Sequence, residues 1–179
     1  LDYKRKQEIL PYLESLSQVC KIPIIYITHS LEEVARLADY IVLMDEGRVV
    51  VDGELQEVLS RVNLPISLDN DLGVVLKAQV LEKDARWYLM LTQFSGGGLW
   101  VKDNHLAIGD LLRIRILAKD VSLSLTPQDS SILNSLPAEV MEVVDDVDAA
   151  MALVRLKMGD SILISRATRR SVDYLGLVP

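Results

Sequence analysis

The chain has 179 residues, half of them hydrophobic, with a net charge of −7 and a pI near 4.8. This length holds one large or two small domains with a buried core, and the acidic balance excludes nucleic acid as a partner, because a phosphate-backbone binder needs a basic face. The longest apolar runs, such as Tyr40 to Met44 and Ala149 to Val154, fall far short of the roughly 20 residues of a membrane helix, so no direct membrane insertion is expected. The single Cys20 forms no internal disulfide, and two separated histidines with one cysteine make no metal-ligand cluster. A reducing cytoplasm is the natural setting. With neither an initiator Met nor a leader at Leu1, the chain is expected to be a piece of a longer protein.

In chain order, Lys4 to Glu8 are polar, and Ile9, Leu13, Leu16 and Cys20 then recur at spacings of four, three and four. That is one face of a helix, which Pro11 should kink. Ile24 to Ile27 is a short apolar, β-branched run, the pattern of a strand covered on both faces, and it delivers Thr28 and His29 at its carboxyl end. Ligands of open α/β sheets bind at such ends. Ser30 and Glu33 predict a capping box, and Leu31, Val34, Ala35 and Ala38 continue it as a helix. Tyr40 to Met44 reads as a strand, Asp45-Glu46-Gly47 as a turn, Arg48 to Val51 as its hairpin partner and Asp52-Gly53 as a second turn.

These residues carry a resemblance. Thr28-His29-Ser30, then Glu33, Leu37-Ala38-Asp39, Ile41 to Met44, Gly47 and Gly53-Glu54 resemble the switch-histidine region of ABC-transporter ATPases. The resemblance implies an α/β fold for residues 1–62, the C-terminal part of a P-loop ATPase domain. It implies that His29 is catalytic, reaching the γ-phosphate of ATP and aligning the attacking water. Leu1-Asp2 looks like the end of the S-x-L-D turn of that family, which would make Asp2 a dimer-crossing catalytic residue; a plain helix N-cap is the equal alternative. No G-x-x-x-x-G-K-[ST], signature sequence, glutamine loop or Walker-B strand is present, so the fragment by itself is expected to be inactive. ATP and Mg²⁺ are implied for the full-length subunit only. Gly96-Gly97-Gly98 lacks the lysine of a phosphate loop and reads as a hairpin connection.

Helix signals return from Glu54 to Val62, and residues 63–73 form a turn-rich linker. The pattern then becomes one of short strands: Val75 to Glu82, Trp87 to Thr92, Leu99 to Lys102, Leu112 to Leu117, Val121 to Leu125, Ala138 to Val144, Ala152 to Leu156 and Ser161 to Arg166. This predicts an all-β, OB-like barrel over 74–179. An internal echo divides it: Ala78 to Glu82 is repeated at Ala138 to Glu142, sixty positions later, and Leu106-Ala107-Ile108 at Leu175-Gly176-Leu177. Two related halves follow. The second ends at Pro179, where the first has its strand from Leu111 to Lys119, so a closing strand is expected to be missing. An open edge near Ser161 to Arg166, and self-association through 74–179, are the expected consequences.

Ser130 to Asn134 with Ala138-Glu139-Val140, and Ile164-Ser165-Arg166 with Ser171 and Leu175-Gly176-Leu177, resemble the opening and closing stretches of molbindin-like (TOBE/MOP) domains. Among ABC importers this favours those for molybdate. The resemblance implies a homodimer docked on membrane permease subunits at the cytoplasmic face of the plasma membrane, as a peripheral protein. It marks Ser130, Ser131, Ser165, Arg166, Arg169 and Ser171 as candidate oxyanion ligands, with molybdate as a regulatory ligand. The pattern's arginine is Leu133 here. Two other readings remain open: an ABC ATPase for sulfate, a sugar or a polyamine, and a non-catalytic oxyanion-sensing barrel.

Overall fold

The computed structural model describes residues 3–20, 22–62, 72–127 and 129–179. Asp2 and the expected linker residues 63–71 lie outside them. The chain divides into two compact units, Leu1–Val58 and Leu59–Pro179. Among the described residues no helix is long and apolar enough to cross a membrane.

In the first unit α1 (Tyr3–Cys20) is one helix running through Pro11. Among its described side chains Leu10 is buried, whereas Ile9 and Leu16 of the expected inward stripe are exposed, because no described element covers that face. An ion pair from Glu14 to Arg36, 2.7 Å long, ties it to α2 (Leu31–Leu37). The segment before α2 corrects the sequence reading. Ile24 to Ile27 is extended, but no described strand pairs with it, and Ile25 and Ile27 are each 92% exposed. Apolar side chains favour a strand but cannot supply its ladder; that takes a hydrogen-bonded neighbour. After α2, β1 (Tyr40–Asp45) and β2 (Arg48–Glu54) form an antiparallel hairpin. Glu46 and Gly47 have φ of 46° and 77°, the left-handed pair of a two-residue hairpin turn. Asp52-Gly53, expected as a turn, instead continues β2 opposite Val42 and Ile41. Glycine suits this position because its φ is 151°, a conformation L side chains rarely adopt, and a Cβ would lie 3.1 Å from Val58 Cγ2 on the short α3 (Leu55–Leu59).

Among its described residues the second unit is mainly β, with one short 3₁₀ turn and one C-terminal helix. Strands β3 (Gly73–Asp84), β4 (Leu89–Phe94), β5 (Gly97–Lys102) and β6 (Leu111–Leu117) make a sheet of order β5-β4-β3-β6. Strands β7 (Glu139–Asp145), β8 (Met151–Met158) and β9 (Ser161–Thr168) make a second, of order β7-β8-β9. All neighbours are antiparallel. One core serves both sheets: Val74, Leu76, Phe94 and Leu99 from the first, Val154, Leu156, Leu163 and Ile164 from the second. The echo seen in the sequence is structural, because the β3 to β4 register shifts between Val80 and Glu82 and the β7 to β8 register between Val140 and Glu142. The bulge recurs at the same place in the repeat.

Several boundaries differ from the sequence reading. Gly73, placed in the linker, opens β3. Trp87 and Tyr88, placed in a strand, belong to the turn before β4, where Asp84 Oδ1 accepts from the amides of Arg86 and Trp87 at 2.9 and 3.2 Å. Gly97 and Gly98 are strand residues, leaving only Ser95-Gly96 as the connection. Val121 to Leu125 is not a strand; a 3₁₀ turn at Ala118–Asp120 takes the chain out of β6, and a side chain holds Val121 instead. β7 and β9 are the outer strands of the second sheet, each with one edge that no described strand pairs, so the edge expected near Ser161 to Arg166 is accompanied by a second one on β7.

Candidate functional site

His29 sits at the corner between the extended segment and α2, with its side chain exposed. The corner is built around it. Ser30, with φ −96° and ψ 113°, is the N-cap of α2, and its Oγ accepts from the Glu33 amide at 3.4 Å. The reciprocal half of the expected capping box is absent: the Ser30 amide donates to Thr28 Oγ1 at 3.1 Å, not to Glu33. The Glu33 carboxylate turns back instead. Its Oε2 accepts from the Thr28 hydroxyl at 2.6 Å and the Tyr26 hydroxyl at 2.9 Å, and Glu33 is only 5% exposed. A buried carboxylate is tolerated when hydroxyl donors replace its water. Sequence reasoning missed this role because S-x-x-E is the capping-box pattern; the competing signal was the pair of hydroxyl residues, Tyr26 and Thr28, just upstream. Asp2, the other expected catalytic residue, lies outside the described residues.

The six candidate oxyanion ligands occupy two regions of the second unit. Ser130 and Ser131 are exposed in the loop before β7, where Ser130 Oγ accepts from the Ile132 amide at 3.1 Å. Asn134 fastens that loop to β5, accepting from the Trp100 amide at 2.8 Å and donating to the Trp100 carbonyl at 2.9 Å. Ser165 is fully buried in β9, and its hydroxyl donates to the Val121 carbonyl at 2.6 Å, so it serves the fold. Arg166 pairs with Asp146 and, at 3.8 Å, with Asp148. Burial opposes ionisation of Asp146, but the Arg166 guanidinium and the Asp148 amide outweigh it and hold its carboxyl below the usual carboxylate range. Arg169 Nη2 meets Asp145 Oδ1 at 2.7 Å, with 47% of its side chain exposed.

Ser171 belongs to a helix that the sequence reading did not include, α4 (Arg169–Tyr174). Thr168 caps it, accepting from the Ser171 amide at 3.1 Å, while the two hydroxyls lie 2.7 Å apart. The helix ends in a Schellman arrangement: Gly176, at φ 59°, donates to Asp173, and Leu177 donates to Val172. Threonine before the turn and glycine after it were the legible signals. A shallow pocket opens here, lined by Val143, Asp145, Ala152, Arg169, Val172 and Leu177 among others. The set thus offers one half-exposed cation, Arg169, with a carboxylate beside it.

Comparison with known proteins gives these features a family. Residues 130–179 match the TOBE domain model. Over 180 residues the chain is 51% identical to the molybdenum import ATP-binding protein ModC of Thiobacillus denitrificans, a match that covers 100% of this chain and 50% of that protein. It is 49% identical to the ModC of Methylococcus capsulatus, covering 99% of the chain and 50% of the relative, and 48% identical to that of Saccharophagus degradans, covering 100% and 50%. The chain therefore spans about half the length of the curated relatives it matches and is similar to molybdenum import ATP-binding proteins along its whole length, with a TOBE domain match over its last 50 residues.

Proposed function

We propose that the chain is the C-terminal portion of the ATP-hydrolysing subunit of an ABC importer for molybdate, and that residues 1–62 complete an α/β P-loop ATPase domain. His29 is its switch histidine. The observation that carries this reading is the exposed imidazole of His29 on a corner whose backbone is fixed on both sides, by Thr28 and by Ser30. In the full-length subunit ATP and Mg²⁺ occupy a site whose phosphate loop lies outside this chain. Water attacks the γ-phosphorus, the bond to the bridging oxygen breaks, and ADP leaves with the electron pair. A base outside this chain takes the proton. A ring at His29 contributes by positioning the γ-phosphate and the water, because such transfers depend on alignment and charge stabilisation. The working unit in this reading is a homodimer on a membrane permease at the cytoplasmic face, with Asp2 reaching the opposite site.

In that full-length subunit His29→Ala is expected to lower kcat by about 10²-fold with little change in nucleotide affinity. An unchanged kcat overturns the role. Molybdate as cargo is supported by the relatives' names; ATPase stimulation by molybdate, but not by sulfate, sugars or polyamines, in the subunit assembled with its permease is the corresponding test.

The half-exposed Arg169 at the shallow pocket by α4 favours a second role, in which the barrel domain takes molybdate as a regulatory ligand. Of the six candidates, Ser130, Ser131, Arg169 and Ser171 are the proposed ligands, weakened by Asp145 beside Arg169; Ser165 is committed to the Val121 carbonyl and Arg166 to Asp146 and Asp148. Calorimetry with molybdate, tungstate and sulfate is expected to show binding that Arg169→Ala removes. No heat at millimolar ligand would make the domain a dimerisation module.

A further inference from the structure

We propose that Glu33 is a positioning residue for His29: its buried carboxylate, by accepting hydrogen bonds from the Tyr26 and Thr28 hydroxyls, fixes the backbone on which the imidazole is carried. The inference rests on the reading of His29 as the γ-phosphate contact.

The geometry is that of a clamp. Glu33 Oε2 takes two short hydrogen bonds from residues on the far side of the corner, at 2.6 and 2.9 Å. With its one proton given to Glu33, the Thr28 oxygen is left to accept, and it does so from the Ser30 amide at 3.1 Å. Ser30 Oγ then accepts from the amide of Glu33 itself. The cycle therefore runs from Glu33 through Thr28 and Ser30 back to Glu33, enclosing His29 in the chain while leaving its ring exposed. Three consecutive residues are held by one buried charge.

A role in helix stability alone predicts something different. Glu32 and Glu33 both lie in the first turn of α2, where a negative charge interacts favourably with the helix N-terminus. Glu32 is not buried and Glu33 is, and Glu33 Oε2 accepts from Tyr26 and Thr28. If the charge mattered only to the helix, Glu32→Gln and Glu33→Gln would act alike. As a clamp, Glu33 should be felt in turnover, because misplacing a catalytic group by about 1 Å can cost on the order of 10²-fold.

The experiment uses the full-length subunit. Glu33→Gln is expected to lower kcat about tenfold, with nucleotide affinity nearly unchanged and the amide of Ser30 exchanging faster with solvent, whereas Glu32→Gln leaves both as in the parent. Thr28→Val should reproduce the loss and Thr28→Ser restore it, which tests the clamp even where Glu33→Gln fails to fold. In a His29→Ala background Glu33→Gln should cost nothing further. A parental kcat for both Glu33→Gln and Thr28→Val, or a full additional loss in the His29→Ala background, overturns the proposal. If His29→Ala itself leaves kcat unchanged, the reading of His29 fails and the positioning role falls with it. A normal loss for His29→Ala beside parental Glu33→Gln and Thr28→Val overturns the positioning role alone.

Discussion

Asp146 and Arg166 form the strongest charge pair of the barrel domain by geometry, with side chains 13% and 19% exposed. Asp146 also accepts from the Asp148 amide at 3.2 Å, so one carboxylate holds both the β7 to β8 turn and a β9 side chain. Replacing it by Ala is expected to cost about 1.5–3 kcal/mol, the range for hydrogen bonds to charged groups. The pH dependence has a definite sign. Because the folded carboxyl titrates below its usual 3.8, the unfolded state binds more protons in this window, and stability rises with pH. The contribution is complete above the unfolded value and lost as pH drops through the folded one. Acid unfolding of the parent and of Asp146→Ala, followed by circular dichroism, should show the midpoint moving to higher pH in the variant. Ser165→Ala is a neutral comparison: it leaves the Val121 carbonyl without its donor at a cost of about 1–3 kcal/mol and without this pH dependence.

Among the elements, the two hairpin connections of the barrel domain show how closely its halves approach. Ser95-Gly96 joins β4 to β5 and Gly159-Asp160 joins β8 to β9, with the Ser95 and Ser161 hydroxyls 2.6 Å apart. A Cβ on Gly159 would stand 2.2 Å from the Ser95 carbonyl oxygen, and one on Gly96 would stand 2.7 Å from Met158. Gly176 provides a matched control, since it has the same φ of 59° as Gly159 but nothing within 4 Å of its absent Cβ. Gly176→Ala should therefore cost only the left-handed conformation, about 1 kcal/mol. Gly159→Ala carries that penalty and the displacement of backbone as well, for a total of about 3 kcal/mol or more. Equal melting temperatures for the two variants would show that the approach of the two connections is not tight in solution.

At the scale of the whole molecule, the two units are expected to differ in independence. Residues 59–179 hold a core fed by both sheets, whereas in residues 1–58 Ile22, Ile24, Ile25 and Ile27 are exposed, as are Tyr40, Val42 and Met44 of β1. A unit of that length is marginal even with a good core, and these exposed apolar side chains contribute little to one. Expressed separately, 59–179 should unfold in one cooperative transition, and 1–58 should show no dispersed amide spectrum. A cooperative melt of 1–58 alone would refute this.

Much of this protein was legible from sequence alone. Thr28-His29-Ser30 and the ordered residues after it located the start of α2 and the hairpin beyond it, because capping, turn and helix-period signals are local. The echo of Ala78 to Glu82 in Ala138 to Glu142 announced two related halves, and the bulge they share repeats because the same short pattern meets the same neighbour. Whatever depends on a distant partner was decided only by tertiary structure. Glu33 was readable as half of a capping box until the fold placed two hydroxyls against it. Ser165 looked like an available ligand until β9 turned it toward Val121, and Arg166 looked free until Asp146 and Asp148 faced it. Ile24 to Ile27 carries the residues of a buried strand, yet here it has no described ladder partner. Side-chain pattern states a preference, and only a neighbour at hydrogen-bonding distance satisfies it.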